Sequence, residues 1–164
     1  MIDVIVPVYR GLSETKACLE SVWHARCELQ FRLIVINDCS PETELSDWLR
    51  LQAKERSMLL LENSENLGFV ATVNRGMQLS LDHDVLLLNS DTEVADGWID
   101  KLHRAGYSAL DIGTVTPFSN NATICSYPAF CNNNSRRMNM QNPTAVGISK
   151  INSELALAKR VFNL

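Results

Sequence analysis

The chain contains 164 residues, of which 46% are hydrophobic and 21% are charged, and it carries a formal net charge of −4. This balance favours one domain with a single core, and no apolar run approaches the roughly 18 residues that a membrane span needs. Seven glycines and five prolines are too few for a fibrous or low-complexity chain, and the negative charge argues against general binding to nucleic acid.

The cysteines form no C-x-x-C pair and are odd in number, which argues against a zinc cage and a complete disulfide framework. We interpret them as reduced, mostly structural thiols: Cys18, Cys27, Cys39, Cys125 and Cys131. The apolar stretch after Met1 has neither a basic leader nor a small-residue cleavage site, so we expect a cytoplasmic location.

Charge is divided unevenly along the chain. Residues 1–100 hold 8 basic and 17 acidic side chains, whereas residues 101–164 hold 7 basic and 2 acidic ones. The basic part either faces an anionic lipid or ligand or neutralises the acidic part within one fold, and the second interpretation is favoured.

Short β-branched runs alternate with helical patterns from the first residues onward. Asp3–Val8 is nearly continuous in apolar residues, as expected for a strand buried on both faces of a parallel sheet. A helix follows, with Leu19, Val22 and Trp23 on one face. After a second strand at 31–36, Ser40 is predicted to cap the next helix, with Pro41 at its first position.

The same alternation continues to about residue 116. It predicts strands at 58–61, 84–88 and 112–116, a helix marked by Val70, Val73, Met77 and Leu81, and a helix around Trp98, Ile99 and Leu102. Residues 132–143 read as a polar loop, and Ile151, Leu155 and Ala158 suggest a last helix. We therefore expect an α/β fold with a largely parallel sheet, a main domain at 1–128 and a C-terminal segment at 129–164.

Ligands of open parallel sheets bind at the carboxyl ends of the strands, so the residues just past each strand are the candidates for a site. They are Pro7, Tyr9 and Arg10, then Asn37 and Asp38, then the 63–68 loop, then Asn89, Ser90 and Asp91. The chain has no G-x-G-x-x-G fingerprint, no P-loop and no G-x-S-x-G elbow. His24, His83 and His103 lack ligand spacing and are interpreted as surface residues.

Two carboxylates at this edge have two interpretations each. Asp38 either accepts a hydrogen bond from a nucleobase or forms an Asx-type turn that caps the following helix. Asp91 follows the most hydrophobic strand, where a hard cation would join its carboxylate to phosphate oxygens, although a turn or helix cap before Trp98 is the alternative.

The segment 66–76 combines a glycine with polar residues at the start of a helix. Gly68 allows a ligand to approach the backbone, and Asn74 and Arg75 lie one to two turns along, within reach of a ribose or diphosphate. A helix cap explains Asn66 equally well.

Four segments in this order resemble the nucleotide-binding half of family 2 glycosyltransferases. They are V-I-V-P-V-Y at 4–9, I-V-I-N-D-C-S-P at 34–41, N-x-G-F-x-x-x-x-N-R-G at 66–76 and L-L-L-N-S-D-T-E-V at 86–94. The segment 114–128 resembles bacterial members that act on cell-surface polysaccharides. The resemblance covers roughly residues 2–128 and implies a GT-A fold, which is a Rossmann-like α/β sandwich with a mostly parallel sheet.

The resemblance also implies an activity and the residues of its donor site. The family transfers a sugar from a nucleotide-diphosphate donor to an acceptor hydroxyl with inversion, and uses Mn²⁺ or Mg²⁺; the acceptor is a saccharide or is lipid-linked. Carried over by position, Pro7, Tyr9 and Asp38 surround the nucleobase and ribose, and Asp91 contacts the metal. Asn66, Gly68, Asn74 and Arg75 line the ribose and diphosphate. The family's D-x-D motif falls on Asn89, Ser90 and Asp91, and Asn89 can contact the ribose.

The chain also departs from the family pattern. Asn89 replaces the first acidic residue of the D-x-D motif, and Asn37 stands where many relatives have a second Asp. The chain has no E-D pair to supply the acceptor-side general base, so we assign no catalytic residue and expect a fold truncated before the acceptor-binding half. An open sheet edge suggests a homodimer, and the basic C-terminal third suggests peripheral contact with a membrane.

Three other functions remain open from the residues. A non-catalytic nucleotide-sugar-binding fragment would share every donor motif. A sugar nucleotidyltransferase requires a glycine-rich basic loop after the first strand, for which Gly11 and Lys16 are poor substitutes. A phosphoacceptor receiver domain requires an acidic pair in the same place and is the least favoured.

Overall fold

The computed structural model describes residues 1–118, in which strands and helices alternate. The strands are β1 (Ile2–Val8), β2 (Phe31–Asn37), β3 (Leu59–Glu62) and β4 (Asp84–Leu87). The helices are α1 (Leu12–His24), α2 (Thr43–Glu55), α3 (Gly68–Met77) and α4 (Trp98–Gly106). The loop predicted at 132–143, the last predicted helix and the boundary at residue 128 lie outside the described residues.

The strands form one parallel sheet in the order β3-β2-β1-β4. β1 pairs with β2 along its whole length, from Ile2 opposite Phe31 to Val8 opposite Asn37. β4 joins the other side of β1, so the order of the strands reverses between β1 and β4. The α/β class with a parallel sheet is confirmed, and the reversal creates the kind of crevice where open α/β sheets bind ligands.

The centre of the sheet is buried on both faces, as the continuous apolar runs predict. Ile5, Ile34 and Ile36 are fully buried in one cluster, and Leu61 and Val85 pack against it. β3 and β4 lie at the two edges and are only partly buried. The rigid part beneath the carboxyl ends is therefore β1 with β2.

Helix α3 approaches this cluster through small residues. Its buried positions are Thr72, Val73 and Gly76. The sequence pattern had marked Val70, Met77 and Leu81 as well, and this part of the prediction is wrong, because all three are exposed and Leu81 follows the helix. A glycine in the contact face lets the helix backbone come close to the sheet, which turns the larger apolar side chains away.

We predict that Gly76→Ala lowers the free energy of unfolding by about 1–2 kcal/mol. A Cβ atom at Gly76 would lie 3.0 Å from side-chain atoms of both Ile5 and Ile36, so the packed core must yield. The matched control is Gly106→Ala, where the nearest atom belongs to Val115 at 3.7 Å. Because helices favour alanine over glycine, the control should be neutral or slightly stabilising in urea unfolding. Equal stabilisation by both substitutions would contradict the packing role of Gly76.

Two further predictions of local structure are wrong. Helix α2 begins at Thr43 with Glu42 as its N-cap residue, and Ser40 instead accepts a hydrogen bond from the Glu42 amide, at 3.1 Å. The amide of Ser40 is itself held by Asn37 Oδ1 at 2.9 Å, which keeps Ser40 in the preceding turn. The strand predicted at 112–116 is irregular backbone, because β-propensity forms a strand only with a pairing partner and Gly113 weakens it further.

The chain divides into two compact units. The first contains Met1–Trp23 and Gln30–Glu93, and thus the whole sheet. The second contains His24–Leu29 and, among the described residues, 94–118; Asp96 there binds the guanidinium of Arg26 at 2.7 and 3.0 Å. Hydrogen bonds from the Arg26 amide and side chain hold the pKa of Asp96 below its ordinary value.

Within residues 1–118, no helix is long and apolar enough to cross a bilayer.

Candidate donor site

Polar residues that follow each of the four strands lie at the carboxyl edge of the first unit's sheet. Tyr9 follows β1, Asp38 follows β2, Asn63 follows β3 and Asn89 opens the loop after β4. The topological reversal lies between β1 and β4, so the loops of Tyr9 and Asn89 flank it. This edge is therefore the candidate site.

Asp38 is buried, at 4% exposure, and its carboxylate accepts several hydrogen bonds. Oδ1 receives the Asn63 side-chain amide at 2.6 Å and the Leu67 backbone amide at 2.9 Å, and Oδ2 receives the Gly68 amide at 2.9 Å. The Thr72 hydroxyl contributes a further bond. Burial opposes ionisation, but these hydrogen bonds outweigh it and hold the pKa of Asp38 below its ordinary value. Asp38 is thus an ionised residue that anchors the start of α3.

This arrangement differs from the Asx-type turn considered from the sequence. The helix that follows Asp38 in the chain is α2, but the carboxylate caps α3, which begins thirty residues later. Asn66 lies beside it, and its Oδ1 also accepts from the Gly68 amide, at 2.9 Å. Of the residues predicted for the donor site, Asp38, Asn66 and Gly68 are therefore in direct contact as one group.

Asn63, the first residue of the candidate 63–68 loop, connects this group to Arg75, a role that no local pattern in the sequence indicates. Its buried side-chain amide donates to Asp38 and to the Thr72 hydroxyl, the latter at 2.9 Å. Its Oδ1 accepts from the Arg75 guanidinium, which also donates to the Glu62 carbonyl at 2.8 Å. Arg75 thus fixes the end of β3, whereas Asn74 lies on the exposed side of α3.

The loop after β1 presents an aromatic side chain and a cation. Pro7 is partly buried near the end of the strand, and Tyr9 and Arg10 are exposed. The Arg10 guanidinium carbon lies 5.4 Å from the centre of the Tyr9 ring, within cation–π distance. Gly11 ends the loop at φ +89°, a conformation that favours glycine. A flat ring at this edge can stack with a planar ligand.

The loop after β4 presents Asn89, Ser90 and Asp91. Asn89 and Asp91 are exposed, and the loop closes through a bond from the Thr92 amide to the Asn89 carbonyl at 3.1 Å. The buried Cys18 thiol donates to the same carbonyl at 3.5 Å. Burial, with the nearby charges of Asp91 and Glu93, raises the pKa of Cys18 to about 12, so the thiol remains a donor. The described cysteines, Cys18, Cys27 and Cys39, are all free, as predicted.

The metal-binding potential of this edge depends on Asp91. Among residues 1–118, no group of three or more His, Cys, Asp or Glu side chains is arranged to hold a metal ion. A single carboxylate nevertheless fits Mg²⁺ or Mn²⁺ when a ligand supplies phosphate oxygens, because these cations commonly take one or two carboxylates plus phosphate. The oxygens of Ser90 and Asn89 are of the same hard type.

Comparisons with known proteins agree with this architecture. The sequence profile of Glycosyl transferase family 2 matches residues 3–109, well over half of the chain. The uncharacterized protein y4gI of Sinorhizobium fredii is 25% identical over 104 residues, which cover 62% of this chain and 11% of that protein. The chain thus spans about a tenth of the length of this relative.

Solved structures are similar over the same region. S. aureus TarS has a TM-score of 0.52 at 19% identity, covering 63% of this chain and 19% of TarS. A TarS fragment in complex with UDP-GlcNAc has a TM-score of 0.53 at 19% identity, covering 63% of this chain and 30% of that one. Mannosyltransferase PcManGT from Pyrobaculum calidifontis, in complex with GDP-Man and Mn²⁺, has a TM-score of 0.53 at 19% identity, covering 63% of this chain and 30% of PcManGT.

The parallel sheet and its similarity to these structures define an α/β domain of the GT-A type. The chain belongs to glycosyl transferase family 2.

Proposed function

We propose that the chain binds a nucleotide-diphosphate sugar at the carboxyl edge of its sheet and serves transfer of that sugar to an acceptor hydroxyl. The observation that carries this proposal is the convergence of the loops after β1, β2 and β4 on the edge where the strand order reverses, in a member of this family. TarS and PcManGT, which share the fold, were solved with UDP-GlcNAc and GDP-Man. A nucleotide-sugar donor is therefore the ligand class that best suits the edge.

The side chains divide between two parts of such a donor. Pro7, Tyr9 and Asp38 border the nucleobase and ribose, with the Tyr9 ring available for stacking. Asn66, Gly68, Asn74 and Arg75 lie along α3 toward the ribose and diphosphate, although Arg75 already bonds to Asn63 and to the Glu62 carbonyl. Asn89 and Ser90 belong to the loop after β4, where Asn89 would contact the ribose.

Asp91 would hold a divalent cation, Mn²⁺ or Mg²⁺, together with diphosphate oxygens. The PcManGT structure contains Mn²⁺, and Asp91 is an exposed carboxylate in the loop after β4 here. When bound, the cation would neutralise charge on the leaving diphosphate. Transfer would be a single displacement with inversion, in which an acceptor hydroxyl loses its proton to a carboxylate and attacks the anomeric carbon while the bond from that carbon to the nucleoside diphosphate breaks and the nucleoside diphosphate leaves.

A second candidate is a donor-binding module without transfer activity. It is favoured by one specific observation, namely that the sequence contains no E-D pair for the general base. Release of nucleoside diphosphate from a donor sugar distinguishes the two: the transferase produces it in the presence of saccharide or lipid-linked acceptors, and the module does not. The acceptor, the homodimer, membrane contact and the cytoplasmic location stay predictions.

Donor binding is tested by thermal unfolding of the full chain with UDP and GDP, with and without Mn²⁺. Ligand at about 100 times its dissociation constant stabilises a protein by about 2.7 kcal/mol, which raises the midpoint by about 5–10 °C at this size. We expect one nucleotide to give a Mn²⁺-dependent shift. No shift with either nucleotide would contradict the proposal.

We predict that Asp91→Ala abolishes the Mn²⁺-dependent part of this shift, because the cation loses its one protein carboxylate. The control is Asp82→Ala, which removes an exposed carboxylate from the loop before β4, at the opposite edge of the sheet. Titration calorimetry with UDP or GDP, with and without Mn²⁺, measures the effect in both variants. Unchanged Mn²⁺ dependence in Asp91→Ala would remove Asp91 from the metal site.

A further inference from the structure

The carboxylate of Glu42 contacts the loop after β1, thirty-one residues earlier in the chain. The Gly11 amide donates to it, with the nitrogen 3.1 Å from Oε2 and 3.2 Å from Oε1. Glu42 is the N-cap residue of α2, yet its side chain makes no capping bond to its own helix. Its hydrogen-bonding capacity is thus directed at another βα connection.

The bonded amide lies at the base of the loop that carries Tyr9 and Arg10. Gly11 ends this loop, and its carbonyl accepts from the Thr15 amide at 2.9 Å, which starts α1. On the strand side, the ladder between β1 and β2 ends with a bond from the Asp38 amide to the Val8 carbonyl at 2.8 Å. Glu42 therefore links the loop after β1 to the loop after β2, beyond the last hydrogen bond between the two strands.

We infer that Glu42 is a positioning residue for the nucleobase side of the donor site. It fixes the backbone at Gly11, so that the Tyr9 ring keeps one place relative to Asp38 and a planar base meets a preformed surface. Binding is stronger when the bound arrangement exists beforehand, because less ordering accompanies association. This inference rests on the proposed donor site and adds a residue that does not itself touch the donor.

The test compares Glu42→Ala with Glu42→Gln in the full chain. Alanine removes the acceptor, whereas glutamine keeps an amide oxygen at the same reach. Titration calorimetry with UDP and GDP, well below each unfolding midpoint, should show about fivefold to tenfold weaker binding for alanine and less than twofold for glutamine, as expected for one lost hydrogen bond. Uridine and guanosine should lose affinity by the same factor as their diphosphates, since the effect lies on the base side.

Glu44→Ala is the matched control, because Glu44 is an exposed carboxylate in the first turn of the same helix. It should leave affinity unchanged. Hydrogen exchange at the Gly11 amide should be slow in the wild type and in Glu42→Gln, and fast in Glu42→Ala. If the alanine variant does not fold, Glu42→Asp replaces it, since the shorter side chain keeps the charge but loses the reach.

The outcomes distinguish failure of the positioning role of Glu42 from failure of the proposed donor binding. Unchanged affinity together with fast Gly11 exchange would overturn the positioning role and leave donor binding intact. Equal weakening by glutamine and alanine would also overturn it, because the hydrogen bond would then not be the cause. Binding of neither nucleotide by the wild type would overturn both proposals.

Discussion

Alanine in place of Asp38 is expected to lower the free energy of unfolding by about 3–5 kcal/mol and to abolish nucleotide binding. Three donors lose this acceptor, namely the side chains of Asn63 and Thr72 and the Leu67 amide, whereas the Gly68 amide keeps its bond to Asn66 Oδ1. Buried donors without a partner each cost about 1–3 kcal/mol, although those near the surface recover part of this from water. Urea unfolding measures the first effect and calorimetry with UDP or GDP measures the second.

The control is Asn66→Ala, which removes one exposed hydrogen bond to the same Gly68 amide. It should cost less than about 1 kcal/mol. A similar small loss in Asp38→Ala would contradict the anchoring role and would leave Asp38 as a residue that serves the ligand alone.

The pKa of Asp38 adds a dependence on pH. Because the folded-state pKa lies below the ordinary value of 3.8, the ionised carboxylate stabilises the fold above that pH. This contribution is lost as the pH falls below 3.8 through the folded-state pKa. As the pH is lowered below about 4, the free energy of unfolding should therefore fall less steeply in Asp38→Ala than in the wild type.

The four strands of the sheet and the edge at which their carboxyl ends meet were predictable from the sequence, whereas the strand predicted at 112–116 does not form. A continuous β-branched run is typical of a central strand in a parallel sheet, which is buried on both faces. The residues that follow such strands lie at one edge of the sheet. For this reason β1 and β2 are found within one residue of their predicted bounds. Asp38 and Asp91 could be selected because a carboxylate within a few residues of the end of an apolar strand is a local signal.

The partners of these residues were not predictable in the same way. Asn63 meets Asp38 across 25 positions and Glu42 meets Gly11 across 31, and neither pair has a local pattern. The buried face of α3 was misjudged because hydrophobic periodicity gives weight to large side chains, whereas this helix packs through Gly76. Contacts that depend on close approach or on distant hydrogen bonds require the assembled sheet.

Asp3→Ala is expected to lower the free energy of unfolding by about 2–4 kcal/mol, because Asp3 binds two side chains, Arg32 and His83, at the amino edge of the same sheet. Its carboxylate is 2% exposed and binds the Arg32 guanidinium through two bonds, at 2.6 and 3.0 Å. His83 Nδ1 lies 3.1 Å away, so this histidine is partly buried against Asp3 and the interpretation of all three as surface residues is wrong for it. Arg32 also donates to the Ser80 hydroxyl, at 2.7 Å.

The acid dependence of this cluster has a definite sign. Burial raises the pKa of Asp3, but hydrogen bonds from Arg32 and His83 with their charges outweigh it, so the pKa lies below 3.8. Ionised Asp3 thus stabilises the fold above pH 3.8, and the contribution disappears as the pH falls through the folded-state value. The loss caused by Asp3→Ala should accordingly be large at pH 7 and shrink at the acid end of an unfolding series.

A double-mutant cycle with Arg32→Met separates the ion pair from the packing of Asp3. Arg32 is 37% exposed, so water compensates part of its lost bond, and we expect a coupling of about 1–2 kcal/mol. The pair of Arg50 and Glu62 has the same chemistry at 2.8 Å but lies at the surface, where coupling should stay below about 1 kcal/mol. Equal coupling in the two cycles would mean that burial of Asp3 adds nothing, and the amino edge would then be held by its strands alone.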